Sequence, residues 1–192
     1  MIALWVGVAA LIVSCSPSLP VDRSSGPSAA LDAAKAALRN HDAYAFYDSL
    51  GEKTALFLFK NTVNVCVLAN SSEGLGVGLS PLPDCMSVLY AHGWEKFEGD
   101  RYSEDGLEEF ARNMGDFRSF AALLDSTMRS EGSGSSFVWD HLEEVELLEI
   151  RESNGSAVGT VSWDGENRQV EFVKDASGWR VETLDVNLQN DA

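Results

Sequence analysis

Three turn signals, ten or eleven residues apart, most constrain how this chain can fold. They are Asn154-Gly155, Asp164-Gly165 and Asp175-Ala176-Ser177-Gly178. Asn-Gly and Asp-Gly accept the positive φ angles of the tightest hairpin turns. The segments between them alternate apolar and polar residues, the period of a half-buried strand. Strands are therefore expected over 145–151, 157–163, 168–174 and 179–184, joined as an antiparallel meander. Leu147-Leu148 breaks the alternation in the first strand, as a bulge would. One covered face then collects Val161, Trp163, Val170, Phe172, Trp179 and Val181, while Arg180 and Glu182 point away.

The part before the meander has helical periodicity. Helices are expected over 28–39, 43–50, 52–69, 85–91, 103–113 and 116–128. Ser28, Asp42 and Asp84 are candidate N-caps, and Gly51 is the expected end of the second helix. The third helix is nearly apolar, but Lys60, Asn61 and Asn64 interrupt it, so it reads as a core helix rather than a membrane span. His92-Gly93-Trp94 reads as a helix terminus with an aromatic anchor. Residues 70–83 are glycine-rich but lack the Lys-Ser/Thr ending of a phosphate-binding loop, and read as a connection. The fold class is α+β, with N-terminal helices packed on a C-terminal antiparallel meander.

At the other end, an uncharged apolar run, 2–13, closes on Ile12-Val13-Ser14-Cys15 and gives way to a Pro/Ser/Gly-rich stretch. About a dozen residues make roughly 18 Å of helix, short of the ~30 Å of a bilayer core. The order resembles the signal peptide of bacterial lipoproteins, in which such a box precedes the cysteine that is lipidated. One departure from the pattern is an n-region without Lys or Arg, as it would be if translation began upstream of Met1. The alternative is an ordinary secretory signal with an incidental Cys15. The resemblance implies a signal peptide over 1–14, acyl chains of palmitate type on Cys15 and a flexible tether over 15–27. A single domain over 28–186 and a tail over 187–192 follow. It also implies a place in the cell envelope. With Ser16 where inner-membrane retention uses aspartate, that place is the periplasmic face of an outer membrane if the source has one.

Thirty acidic side chains against fourteen Lys and Arg leave a formal charge of −16. Phosphate binding needs a basic face, so nucleic acid is excluded as a partner, and so is electrostatic attachment to anionic headgroups. With Cys15 assigned to lipid, Cys66 and Cys85 remain. An even remainder in an oxidising compartment points to a disulfide, and two buried thiols are the alternative.

Two stretches carry a second resemblance. Residues 37–47, Ala-Leu-Arg-Asn-His-Asp-Ala-Tyr-Ala-Phe-Tyr, resemble the opening helices of NTF2-like domains. Residues 170–181, Val-Glu-Phe-Val-Lys-Asp-Ala-Ser-Gly-Trp-Arg-Val, resemble their last hairpin. The resemblance implies a cone of helices on a sheet, with residues 70–130 as a helical insertion.

Groups that could carry chemistry are sparse. His41, His92 and His141 show no short metal-ligand spacing to one another or to cysteine, and no cofactor fingerprint is present, so neither metal nor cofactor is expected. Asp140-His141 beside Trp139 is the best acid–base pair, at the transition from helices to sheet. Tyr47 and Asp48 could add polar contacts to a ligand there. Glu143, Glu144, Glu146 and Glu149 read as a solvated strand edge. Three functions compete. One is a non-enzymatic, membrane-tethered lipoprotein binding a protein partner or a small apolar ligand. Another is a small acid–base enzyme of NTF2-like type using Asp140 and His141. The third is an acidic inhibitor or immunity protein directed at a basic toxin.

Overall fold

The computed structural model describes residues 23–71, 80–101, 103–131 and 142–184. Among the described residues, six helices precede a four-stranded antiparallel sheet, an α+β arrangement. The helices are α1 (Pro27–Arg39), α2 (Ala43–Ser49), α3 (Glu52–Ala69), α4 (Pro83–Ala91), α5 (Glu104–Arg112) and α6 (Phe117–Ser130). The strands β1 (Glu146–Ser153), β2 (Ser156–Trp163), β3 (Glu166–Asp175) and β4 (Gly178–Leu184) follow, with sheet order β1-β2-β3-β4. No helix among the described residues is long and apolar enough to cross a membrane.

The meander forms as its turn residues dictate. Asn154 and Gly155 have φ 46° and 82°, and Asp164 and Gly165 have 52° and 77°. Two successive positive φ values make the turn whose twist matches paired strands. The β1–β2 register shifts between Leu147 and Glu149, and Leu148 stands exposed at that bulge. A second shift, between Glu171 and Phe172, lies in the β3–β4 pair, where alternation gave no warning. Val161, Trp163, Val170, Phe172, Trp179 and Val181 are all buried on one face. The Arg168 guanidinium covers the Trp163 ring at 4.8 Å.

Strand β4 is where the two layers meet, with α1, α2 and α3 all packed against it. Leu50 pairs with Val181 as an isolated parallel bridge, and the Gly51 N–H donates to the Val181 carbonyl at 2.7 Å. The Thr54 hydroxyl donates to the Glu182 carbonyl. The edge of β4 is thereby covered rather than left open for another chain. Gly51 caps α3 instead of ending α2, because Leu50 is already extended at ψ 147°.

Two other helix starts differ from expectation. Helix α1 begins at Pro27 after Gly26, leaving Ser28 inside its first turn, since proline at the first position loses no intrahelical bond. Helix α4 likewise begins at Pro83, ahead of Asp84. Its free N–H groups at Asp84 and Cys85 donate to the two carboxylate oxygens of Glu131, at 2.9 and 3.1 Å. The residue just past α6 thus caps α4. Asp42, Ser103 and Asp116 cap α2, α5 and α6 with their own side chains.

Residues ahead of the expected domain boundary at 28 contribute to the fold. Arg23–Ser25 form a 3₁₀ turn, and Arg23 donates to both the Asp48 carbonyl and its carboxylate. Phe110 of α5 and Phe120 of α6 pack on Phe59 of α3, and Trp94, just past α4, packs on Phe110, building one continuous core. Gly93, at φ 90°, ends α4 and turns the chain so that Trp94 is buried. Cys66 of α3 and Cys85 of α4 are joined, with their Cα atoms 6.0 Å apart.

Candidate functional site

The site is a cleft between the α1–α2 corner and α6. Helix α1 ends in paired backbone bonds, Asp42 N–H to the Ala37 carbonyl at 2.9 Å and His41 N–H to the Leu38 carbonyl at 3.0 Å. That closure needs a left-handed residue, and His41 fills it at φ 54°. Asp42, next along, turns its Oδ1 onto the Ala45 N–H at 2.9 Å and starts α2. Both residues are thereby placed at the corner, where they line a cleft against α6.

Helix α6 buries Phe120, Ala121, Leu124 and Met128, and with them Asp125. A buried carboxylate needs a partner. Arg129, one turn on, donates Nε–H to Asp125 Oδ2 at 2.9 Å. Asp125 is nearly enclosed, while the Arg129 side chain keeps 32% of its surface exposed. The resulting cleft holds 260 Å³ and is lined by His41, Asp42, Asp125, Ser126, Arg129 and Ser130 over Ala37, Leu38, Ala43 and Phe46.

Tyr47 lies beneath this cleft, in the core, with 2% exposure. It therefore offers no surface to a ligand, contrary to the sequence expectation, because the aromatic face of α2 is the buried one. Burial, and then the charge of Asp125, push its phenol well above the ordinary range, against the opposing pull of the Thr62 hydrogen bond and of Arg129.

Asp48 sits at the far end of α2, away from the cleft. Its carboxylate is held between Arg23 and Arg180. Arg180 points away from the Trp179 face, as alternation requires, yet it is buried, and it also donates to Asp175 and Ser177. Burial pushes the Asp175 carboxyl up, but the bonds from Ser177 and Arg180 outweigh it and hold the group at about 2. Arg118, from the start of α6, adds a third guanidinium to this cluster. Burial, and next the charge of Arg180, lower it from its ordinary value, against the nearby Asp175, Asp48 and Glu52.

Trp139, Asp140, His141 and Cys15 lie outside the described residues. His92 packs its ring on Phe120 at 4.4 Å and lies 2.9 Å from the Val88 carbonyl through Nδ1, a structural placement. Glu143, Glu144, Glu146 and Glu149 are exposed along the start of the sheet. Among the described residues, no group of three or more His, Cys, Asp or Glu could hold a metal ion.

The sequence marks Asp42 as a cap and gives His41 no metal-ligand spacing, and Asp125, Ser126 and Arg129 were not anticipated in a site. A signal was present. Asp125 sits one turn after Ala121 and beside Leu124 on the apolar stripe of α6, with an arginine at the i+4 position that can neutralise it. No family model, curated protein or solved structure matches this chain.

Proposed function

We propose that the chain is a lipid-anchored protein of the bacterial envelope whose domain works by binding rather than by turnover. Cys15 carries the lipid, and the outer membrane's periplasmic face is the place the Ser16 neighbour favours. The observation that carries the reading is the Cys66–Cys85 bridge, since such bridges persist in oxidising compartments outside the cytoplasm. The apolar run that closes on Cys15 supports it independently. Arg23, which is tied to Asp48 of the domain, is only eight positions beyond that cysteine, a reach of at most about 28 Å. The domain would ride close to the bilayer.

Binding rather than catalysis is supported by how the ionisable groups are used. Asp48, Asp125 and Asp175 are each engaged by arginine. Such pairs fix structure and occupy the carboxylates, whereas a general acid or base must be free to reach a substrate. The NTF2-like resemblance belongs to this reading, supported by the aromatic α2 and by the Trp179 hairpin that seats β4 on the helices.

The test is expression in a lipoprotein-processing bacterium fed a labelled fatty acid. The wild-type chain should take up label and sediment with membranes, and Cys15→Ala should be unlabelled and soluble. An unlabelled wild-type chain that retains Cys15 inside its N-terminal segment defeats the reading.

A further inference from the structure

We propose that a second concavity, on the solvent side of α3, binds a short neutral oligosaccharide. A pyranose ring would sit on Phe57, with its hydroxyls bonded to Lys53, Lys60 and Glu182. Helix α3 lines the concavity with Glu52, Lys53, Leu56, Phe57 and Lys60. Glu108 of α5 and Glu182 of β4 complete it, and no residue is shared with the cleft at the α1–α2 corner. The inference rests on reading the domain as a binding module and names what that module takes.

Shape sets the first limit. At 470 Å³ the concavity lies within the roughly 300–1,000 Å³ of small-molecule pockets. Lys53, Leu56, Phe57 and Lys60 stand at i, i+3, i+4 and i+7, so they form one stripe down the helix. The two lysines are about 10 Å apart along the axis, the span of a disaccharide, and the apolar pair lies between them. A lone exposed phenylalanine is ordinary on a protein surface. This one, 41% exposed, lies in a concavity with polar groups on both sides of it. The negative face of such a ring attracts the C–H face of a sugar.

Charge sets the second limit. The lining holds the carboxylates of Glu52, Glu108 and Glu182 and the ammoniums of Lys53 and Lys60. An anion would meet those carboxylates on a chain of formal charge −16. A cation would meet both ammoniums. A hydroxyl both donates and accepts, so a neutral polyol bonds to groups of either sign and strands no charge.

The recognition groups are open to such bonds. Lys53 Nζ stands 4.0 Å from Glu182 Oε1, and Lys60 Nζ stands 3.7 Å from Glu104 Oε2, both beyond hydrogen-bond reach. Among the described residues neither ammonium donates a hydrogen bond. The Lys60 side chain is only 17% exposed, so it is held at the concavity rather than free to swing in solvent. Glu182 is held as well. Its Oε2 is buried against Gly51 and meets no donor among the described residues. Burial raises this carboxyl from its ordinary value, against the opposing charge of Lys53. A ligand hydroxyl supplies a donor to a group that is short of them.

The test is titration calorimetry and thermal melting of the full chain, in a detergent without a sugar headgroup. The probes are cellotriose, maltotriose and triacetylchitotriose, with azelate and spermidine as charged comparisons. At least one trisaccharide should bind with a dissociation constant below roughly 10 mM, and neither charged probe should bind more tightly. Phe57→Ala should weaken that sugar at least about tenfold, whereas Phe57→Tyr, which keeps the ring, should retain it. Alanine is the better helix former at this exposed site, so Phe57→Ala should melt close to the wild type. Lys60→Met keeps an apolar stem and loses only a loose pair with an exposed glutamate. It should also melt close to the wild type, yet bind the sugar at least about threefold more weakly. A merely structural role for either residue would move melting and leave binding alone. No heat from all three trisaccharides, tighter binding of azelate or spermidine, or unchanged sugar binding by either Phe57→Ala or Lys60→Met would overturn the assignment. A lipidated, membrane-bound chain that ignores all three sugars defeats the ligand alone. An unlipidated chain that binds one defeats the envelope reading alone.

Discussion

Arg180 donates from Nη1 to the Asp48 carboxylate at 3.1 Å, joining the last strand to α2 across 132 positions of sequence. Its Nε reaches Asp175 in its own hairpin, and its side chain is only 8% exposed. Arg180→Met leaves two carboxylates facing each other without their shared cation. Both carboxylates are half-exposed, so the cost is below that of a fully buried pair, at about 2 kcal/mol. Urea unfolding should show that loss, and Arg23→Ala should cost clearly less.

The same hairpin sets an acid limit. Asp175 titrates at about 2 in the fold against an ordinary 3.8. A depressed carboxyl stabilises the fold above its unfolded value, and that stabilisation is lost as the pH falls through the folded value. Thermal melts between pH 5 and pH 2 should therefore show Asp175→Asn losing less stability over this range than the wild-type chain. Parallel acid limbs would show that Asp175 is not the group responsible.

Trp179 is 4% exposed on the face that meets the helices. Trp179→Ala should cost about 3–5 kcal/mol, the range for emptying a large aromatic site. A chemical-denaturation midpoint within error of wild type would mean that the face is not packed.

Gly51 is tolerated because nothing larger fits. A Cβ there would stand 2.8 Å from the Cα of Glu182 and closer still to its carboxylate. The backbone contact cannot move away, because the Gly51 N–H is tied to Val181. Gly51→Ala should cost at least about 2 kcal/mol. Gly115→Ala, where the added carbon meets nothing within 4 Å, is the control expected to be neutral in the same melts.

Removing the bridge should loosen the link between α3 and α4. Cys66 and Cys85 are 19 positions apart, so the chain-entropy account assigns the bridge about 3 kcal/mol. The double Cys66→Ala, Cys85→Ala variant should unfold at correspondingly lower urea, and reductant should shift the wild type but not the variant.

The sheet was legible because its information is local. Asn154-Gly155 and Asp164-Gly165 dictate their own turns, and a period of two sorts Val161 and Phe172 from their neighbours without reference to the rest of the chain. The bulge at Leu148 was legible for the same reason. What sequence could not give was any feature whose two halves are far apart. Asp84 was expected to cap α4, but the groups that cap it come from Glu131, 47 positions away. Gly51 was expected to end a helix, but its role is set by Val181 and Glu182. Arg180 was correctly placed off the apolar face and yet is buried, because Asp48 and Arg23 come from the other end of the chain to cover it. The cleft failed to appear for a similar reason. His41 and Arg129 are unremarkable until α2 packs on α6.

The pairing of Leu50 with Val181 also bears on how the protein is made. A chain leaves the ribosome N-terminus first, and helices α1 to α3 emerge long before the strand they pack against. Until residue 181 is free, the α2–α3 junction has no β4 carbonyl to accept from Gly51, and the parts of α1 and α3 that pack on β4 have no partner. Contacts of such separation form late, after a large loop has closed. Nascent chains stalled before that point should hold exposed apolar surface and recruit chaperones. Those stalled after residue 181 has cleared the exit tunnel should not.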